Sequence, residues 1–258
     1  MIIPTSVYIE DKISAVVDLL RVNGTITDIT DNEDDTYTVE VDSLNTDEVH
    51  SVFDIANGDW ITIASTTGFN DEWLVSGLDD ENLTFDISNP DYETGITIPG
   101  SFGTWKANKP YFDFEKWPKE ANVLEQLNKI ANKQFQKFPL IFLLEDISTS
   151  EGNKGYHSQA NFNLFFIKDT EKNQPASWRL TNIFKVYLQP MYEWFNKKLV
   201  ESNYTTAWRD RDLQRTKTNR YFLGTAGASQ NELNTVVDAI EVNYQNVQFK
   251  NEKTYCED

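Results

Sequence analysis

The sequence predicts an α+β protein that carries an inserted, strongly acidic all-β domain. Three observations support this class. Apolar residues recur at helical spacing at the start of the chain and again after residue 118, apolar runs typical of covered strands follow, and residues between 22 and 104 alternate with period two. We therefore expect helices packed on a short mixed or antiparallel sheet, interrupted by a sandwich or small barrel.

The first predicted element is an amphipathic helix that Asn23-Gly24 ends. Its apolar residues lie three or four positions apart and so share one helix face. They are Ile9, Ile13, Val16, Val17 and Leu20. Because the acidic region that follows offers this stripe no apolar partner, we assign residues 1–21 to the core domain.

Short alternating runs between residues 22 and 104 predict strands with one solvated face. Tyr37, Val39 and Val41 alternate with polar residues, and residues 83–88 repeat the pattern. Asn, Asp and Gly separate the runs, as turns require. We expect the acidic residues to lie on the solvated face and in these turns.

The region after residue 105 combines predicted helices with covered strands. Residues 138–145 and 161–169 are apolar at successive positions, which is typical of strands buried on both faces. In the last strand, Ile240, Val242 and Tyr244 alternate with polar residues and are predicted to face the core. Two helical stripes complete the pattern, the second crossing Pro190, where we expect a kink or a new helix start. The stripes are Val123, Leu124, Leu127, Ile130, Ala131 and Phe135, then Phe184, Tyr187, Leu188, Met191, Trp194, Phe195 and Leu199.

Charge divides the chain at nearly the same place as the pattern. Residues 1–104 contain 22 acidic and two basic residues, whereas residues 105–258 contain 19 acidic and 21 basic residues. The Pro- and Gly-containing stretch 99–104 is typical of a linker. We predict an N-terminal helix (1–21) of the core, an inserted acidic β-domain (22–104) and an α+β core domain (105–258).

The sequence shows no recognisable catalytic constellation. His50 and His157 lack the neighbours that would orient a general base, and no nucleophile or phosphate-binding motif is present. Cys256 stands alone near the end, which excludes an internal disulfide and a zinc framework. With no signal peptide and no apolar run of about 20 residues, we expect an intracellular-type protein. The sequence predicts no enzyme activity, no cofactor and no metal.

The most acidic stretch, residues 27–42, has seven carboxylates and no basic residue. It allows three interpretations: a calcium loop, a mimic of nucleic acid, or a solvated turn. If Asp31 were the first position of an EF-hand, the required Gly and Glu would be replaced by Thr36 and Asp42. A solvated turn is the simplest interpretation.

One basic cluster, residues 209–220, is a candidate for protein interaction. Its cations are Arg209, Arg211, Arg215, Lys217 and Arg220. Asp210 and Asp212 reduce the local net charge, so the cluster is a poor nucleic-acid site. It is either a solvated, ion-paired loop or a loop that docks on the acidic surface of a neighbouring copy or partner.

The order of elements after residue 110 resembles the tail-completion and tail-terminator proteins at the head–tail joint of tailed bacteriophages. The segments that carry the resemblance are residues 121–147, 161–169, 182–199 and 222–249. Residues 57–87 are similar to a small β-domain of phage structural proteins, in which Gly58-Asp59 starts one strand and Phe69-Asn70 the next. The large insertion is more like the ring proteins of short-tailed, crAss-like phages.

The resemblance implies a structural virion protein without enzymatic activity. Such a protein would be made in the host cytoplasm and would form a ring of identical copies at the head–tail connector. Its partners would be those copies and adjacent portal, adaptor or tail proteins, with DNA only as passing cargo and no membrane. Two alternatives stay open: an acidic protein-binding module that mimics nucleic acid, and a metal-dependent hydrolase.

Overall fold

A computed structural model describes residues 5–44, 53–89, 96–115, 138–151, 157–171, 173–206, 214–221 and 236–250. The chain forms two compact units. The first contains Met1–Leu20 and Tyr111–Asp258, and the second contains Arg21–Pro110.

The second unit is a closed six-stranded antiparallel barrel. Its strands follow the order β1-β2-β5-β4-β3-β6 around the barrel, so the first and last strands of the unit are neighbours. Closure leaves the barrel without an edge strand. The strands are β1 (Asn23–Asp31), β2 (Tyr37–Val41), β3 (Trp60–Ala64), β4 (Glu72–Asp79), β5 (Thr84–Ser88) and β6 (Thr104–Ala107).

Aromatic side chains fill the barrel. Tyr37 and Phe69 meet edge to face with ring centroids 5.0 Å apart, and Trp73 lies 5.4 Å from Phe69. Phe85 and Trp105 form a second pair at 5.5 Å. The alternation in β2 is confirmed, because Tyr37, Val39 and Val41 are buried. Together these residues form the apolar core that holds the barrel together.

The stretch predicted to be a linker belongs to the barrel. Gly103 donates its N–H to the Thr66 hydroxyl and accepts a hydrogen bond from the Ile26 N–H. A Cβ at Gly103 would lie 2.0 Å from the Ala64 carbonyl oxygen, so only glycine fits there. β6 follows at once and closes the barrel, and for this reason the unit extends to Pro110 rather than ending at residue 104.

The first unit is built on a six-stranded sheet with the order β10-β12-β9-β8-β7, in which β11 also pairs with β12. β7 and β8 run parallel, and the other neighbours run antiparallel. Several strands are far longer than the usual five or six residues. The strands are β7 (Tyr111–Glu115), β8 (Leu140–Glu151), β9 (His157–Thr170), β10 (Thr205–Thr206), β11 (Gln214–Tyr221) and β12 (Val236–Lys250).

The described residues of this unit include two helical stretches. α1 (Thr5–Asp18) contacts β7 and β8, and its predicted apolar stripe is buried. The second stretch is continuous and consists of α2 (Ala176–Arg179), a π-helical segment (Leu180–Leu188) and α3 (Gln189–Glu201). Pro190 occupies the first turn of α3, where its missing N–H is tolerated. The wider π-helical turn precedes it, with the Gln189 N–H bonded to the Phe184 carbonyl.

The sheet is buried on both faces, as the apolar runs predicted. On one face, Phe166 contacts Tyr192 and Phe195 of α3, and Tyr244 donates a hydrogen bond to Asn196. The opposite face holds a separate apolar cluster. The cluster contains Leu140, Phe142, Phe165, Ile167, Val237 and Ala239. Ile240, Val242 and Tyr244 are fully buried, which confirms their predicted inward orientation.

The predicted α+β class is nevertheless wrong. The described residues are mostly β, with twelve strands, a closed antiparallel barrel and only two helical stretches. The strands are longer than their apolar runs indicated because their polar ends carry no apolar signal. β9, for example, runs over His157–Thr170 instead of 161–169, and cross-strand pairing with β8 and β12 holds its polar end in the sheet. The predicted helix after Pro118 lies outside the described residues.

Candidate functional site

Three of the five predicted interaction residues lie on a strand rather than in a loop. Arg215, Lys217 and Arg220 belong to β11, where Arg215 is paired with Val242 and Lys217 with Ile240 of β12. Arg209 and Arg211 lie outside the described residues. The strand was not predicted because a segment this rich in charged residues is typical of a solvated loop.

The barrel carries a carboxylate surface across three neighbouring strands, which we call the acidic face: Asp28 of β1, Glu40 of β2 and Asp86 of β5. Asp28 and Glu40 are direct cross-strand partners and both are exposed. Like charges in this arrangement repel and lower stability. The sequence contains no Lys or Arg between Val22 and Trp105 that could offset them. This pairing depends on strand register, which the sequence alone did not give.

Asp86 is held in place by two neighbouring strands. The Thr38 hydroxyl donates to the Asp86 Oδ1 atom at 2.6 Å. On the other side, a Cβ at Gly77 would lie 2.1 Å from the Asp86 Oδ2 atom, so the absence of a side chain at Gly77 makes room for the carboxylate. The acidic face is therefore partly ordered by hydrogen bonding and by shape.

The turn between β1 and β2 contains the carboxylates that suggested a calcium loop. Asp31 Oδ1 accepts from the Glu33 N–H at 2.8 Å, and Asp34 Oδ1 accepts from the Thr36 N–H and hydroxyl. Glu33 and Asp35 have positive φ values of 63° and 68°. The Asp31 and Asp34 carboxylates thus bind turn amides, as Asx turns do. Among the residues that the structure describes, no group of three or more metal-ligating side chains converges.

A second acidic turn, between β4 and β5, is organised by one carboxylate. Asp79 accepts hydrogen bonds from the Asn82 side chain and from the N–H groups of Asn82 and Glu81. These bonds, chiefly the side-chain bond from Asn82, lower the pKa of Asp79 below its ordinary value of 3.8. The ionised carboxylate is therefore the form that holds this turn.

Lys109 lies among carboxylates at the end of the barrel sequence. Its Nζ atom is 2.5 Å from Asp59 Oδ2, with both side chains largely buried. Burial raises the pKa of the nearby Asp54, the ammonium of Lys109 lowers it, and the carboxylate of Asp80 adds to the rise. Lys109 therefore pairs with Asp59 and offsets part of the cost of burying the Asp54 carboxylate.

The first unit contains a buried ion pair that sequence analysis did not predict. Arg179 donates to Asp238 Oδ1 at 2.8 Å, and both side chains are almost completely buried. The same guanidinium donates to the carbonyls of Gln174 and Glu171. The pair joins the start of the helical stretch to β12, so we assign it a structural role. No sequence spacing links residues 59 positions apart, so only the fold could have revealed it.

Comparison with known proteins gave no relative. No protein-family model matches the chain, and no curated protein or solved structure matches it significantly. Within the described residues, none of the helices has the length and apolarity needed to span a bilayer. His157 is the first residue of β9, and His50 falls outside the described residues. The acidic face and the basic sequence of β11 are the charged features that bear on function.

Proposed function

We propose that this chain is a structural subunit of a ring at the head–tail joint of a tailed bacteriophage, where it forms part of the channel for genome passage. The protein acts in the assembled virion, with copies of itself and with adjacent portal, adaptor or tail proteins. This proposal assigns it no catalytic role and no cofactor. It extends the resemblance seen in residues 121–147, 161–169, 182–199 and 222–249.

The separation of charge between the two units is the observation that supports this proposal best. Residues 21–110 contain 19 acidic and three basic residues, whereas the rest of the chain is nearly neutral. The barrel interior is filled by aromatic side chains, so its distinctive chemistry lies on its surface. On that surface Asp28 and Glu40 are paired although they repel each other. Because this pairing costs stability, we infer that the negative charge has a function of its own.

Such a charge is useful beside a DNA channel. DNA presents a dense row of phosphates, and a surface of the same sign repels them at short range. An acidic barrel that borders the channel would keep the genome from adhering to the wall while it passes. The same charge would guide the docking of basic surfaces on neighbouring proteins.

The acidic face also keeps the nucleic-acid mimic as a second candidate. Asp28, Glu40 and Asp86 place three carboxylates on adjacent strands with no cation among them, and a DNA-processing protein could bind such a surface. The two functions differ in assembly. A mimic works as a monomer or dimer bound to its target, whereas a connector subunit works in many copies in the particle.

Imaging of the phage particle that encodes this chain tests the proposed function. Cryo-electron microscopy of the head–tail joint, combined with mass spectrometry of purified particles, would locate and count the chain. The proposal predicts several copies related by rotation about the tail axis. Absence of the chain from purified particles would exclude the proposal and favour the mimic.

A further inference from the structure

The long helical stretch of the first unit changes its geometry along its length. Residues Leu180–Leu188 are π-helical, and they lie between α2 and α3. A π-helix bonds each N–H to the carbonyl five residues back, so each turn holds about one residue more than the 3.6 of an α-helix. Most π-helical segments in proteins are single turns, whereas nine residues make about two. The segment is therefore unusually long.

The two ends of the helical stretch contact the same strand of the sheet. Arg179 donates to Asp238 of β12, and the Phe195 ring lies 6.1 Å from the ring of Tyr244 on the same strand. The register of β12 is regular between Asp238 and Tyr244, and side chains at even spacing along a strand share one face of the sheet. Arg179 and Phe195 therefore point to the same side of the helical stretch.

A straight α-helix would place these two side chains on nearly opposite sides. Arg179 and Phe195 are sixteen residues apart, which is about 4.4 turns at 3.6 residues per turn. The two side chains would then differ by almost half a turn. With two wider turns between them, the same residues make about four turns, and both side chains face the sheet.

Burial along the stretch shows where the additional residues lie. Buried positions follow at spacings of three or four from Leu188 onward, and Arg179 and Ile183 are four apart. Ile183 and Leu188 are five apart, and both Lys185 and Val186 between them are exposed. Without Lys185 and Val186 the spacing would be three, and an α-helical pattern would continue through the whole stretch.

Local chemistry supports both ends of the π-helical segment. At its start, the carbonyls of Ser177 and Trp178 accept hydrogen bonds from the side chains of Thr181 and Asn182, at 3.2 and 2.9 Å. Such bonds supply partners for carbonyls where the backbone bonding pattern changes. Pro190 follows the other end, and in a straight α-helix its ring would clash with the carbonyl four residues earlier.

We propose that residues 180–188 are a register adapter that sets the rotation of the helical stretch. Its two additional residues, Lys185 and Val186, turn the start of the stretch by about half a turn, so that Arg179 reaches β12. The ion pair in turn holds the segment in the π-helical form, because in an α-helical form Asp238 would lose its buried counter-ion. This inference concerns the fold of the subunit and is independent of the ring function.

Deletions in the full chain test the adapter. Every variant carries Pro190→Ala, so that a straight α-helix is sterically allowed, and Pro190→Ala alone is the reference. Removal of Lys185 and Val186 leaves Arg179 about four α-helical turns from Phe195 and therefore still in phase with it. Calorimetry should show the first unit melting within about 4 °C of the reference.

Removal of a third residue provides the matched control. Leu180 is exposed like Lys185 and Val186, so its loss takes nothing from the core. The chain that lacks all three has only about 3.6 α-helical turns between Arg179 and Phe195, which turns Arg179 away from the sheet. Its first unit should melt more than about 10 °C below the reference or not fold at all.

Asp238→Asn shows whether Arg179 still reaches its partner in each chain. In the reference and in the two-residue deletion, this change should lower the melting temperature by a similar amount, about 10 °C. In the three-residue deletion it should cause no further loss, because Arg179 has already turned away. This difference separates the positioning of Arg179 from general damage to the helix.

The order of these losses decides the inference. A two-residue deletion that folds beside a three-residue deletion that melts far lower or does not fold supports the adapter. Loss of cooperative melting in the two-residue deletion, or equal losses from both deletions, would overturn it. An Asp238→Asn effect of the same size in all three chains would also overturn it, since the pair would then form whatever the rotation of the helix.

Discussion

Gly77 and Asp86 show how single residues shape the acidic face. The Asp86 carboxylate occupies space that any side chain at Gly77 would need, and the Thr38 hydroxyl holds it there. Gly77 also has a positive φ of 54°, which L-residues adopt at a cost. The lack of a side chain at Gly77 therefore leaves room for the Asp86 carboxylate, and its backbone conformation also favours glycine.

Replacing this glycine should destabilise the barrel. Gly77→Ala should cost more than the roughly 1–2 kcal/mol expected from its positive φ alone, because the new Cβ would also displace Asp86. Gly58→Ala is a matched control, since Gly58 also has a positive φ, of 91°, and no atom within 4 Å of its Cβ position. Urea unfolding of both variants measures the difference. Equal losses would show that Asp86 moves aside without cost.

Asp79 should make the barrel's stability depend on pH. Its pKa is lowered in the folded protein, so the ionised carboxylate contributes stability above the ordinary value of 3.8. That contribution is lost as the pH falls through the lower, folded-state pKa. Asp79→Ala should therefore lower the melting temperature at neutral pH, and the difference from the wild type should shrink below about pH 4.

Glu81→Gln provides the comparison for this prediction. It removes a negative charge two residues from Asp79. In this turn the described hydrogen bonds to a carboxylate are accepted by Asp79. Melting curves of both variants between acidic and neutral pH would distinguish the hydrogen-bonding role from net charge. A pH-independent loss in Asp79→Ala would contradict the assigned role.

At the scale of elements, the long strands and the helical stretch depend on partners far away in the sequence. Arg179 is the clearest case, because it ties the start of the helical stretch to Asp238 on β12 and to two carbonyls of the preceding turn. Removing one partner of a buried ion pair is costly because the other charge stays buried without a counter-ion. Replacing both partners by apolar residues can be tolerated.

Breaking this pair should unfold the first unit at a lower temperature. Asp238→Asn leaves the Arg179 charge buried without its counter-ion and should cost about 3–5 kcal/mol. Glu201→Gln, which affects the exposed Glu201 carboxylate in its pairs with Lys197 and Lys198, should cost at most about 1 kcal/mol. Calorimetry of the two variants provides the test, and comparable losses would mean that Asp238 is better hydrated than its burial indicates.

These elements also show what the sequence could predict. Ile240, Val242 and Tyr244 alternate cleanly, and Ile13 and Val16 keep helical spacing, so their burial followed from local pattern alone. The extension of β8 to Glu151, the strand at β11 and the pairing of Asp28 with Glu40 depend on register and cross-strand contacts. Local periodicity carries no information on register, so the exposure of Asp28 and Glu40 was predicted but their pairing was not.

At the scale of the whole molecule, the barrel is compact in itself. β1 and β6 are neighbours through the pairs Asn23–Lys106 and Thr25–Thr104, and the Arg21 side chain donates to the Pro110 carbonyl. The chain therefore enters and leaves the barrel at nearly the same point. The first and last residues of the unit are held together by these contacts.

The barrel should therefore fold when expressed alone. Residues 21–110 should give a soluble protein with a cooperative thermal transition, because every barrel strand and its aromatic core are included. Residues 21–103 lack β6 and should melt without a cooperative transition, since the barrel is left open between β1 and β3. Cooperative melting of the shorter piece would show that β6 is dispensable and that the unit ends near residue 104.

We propose that copies of this chain close into a ring, and the symmetry of the purified full-length assembly is the measurement that decides it. Class averages from electron microscopy would show the number and arrangement of copies. We predict closed rings of one size with rotational symmetry and a central channel. Particles that remain monomeric or twofold symmetric at every concentration tested would contradict the claim.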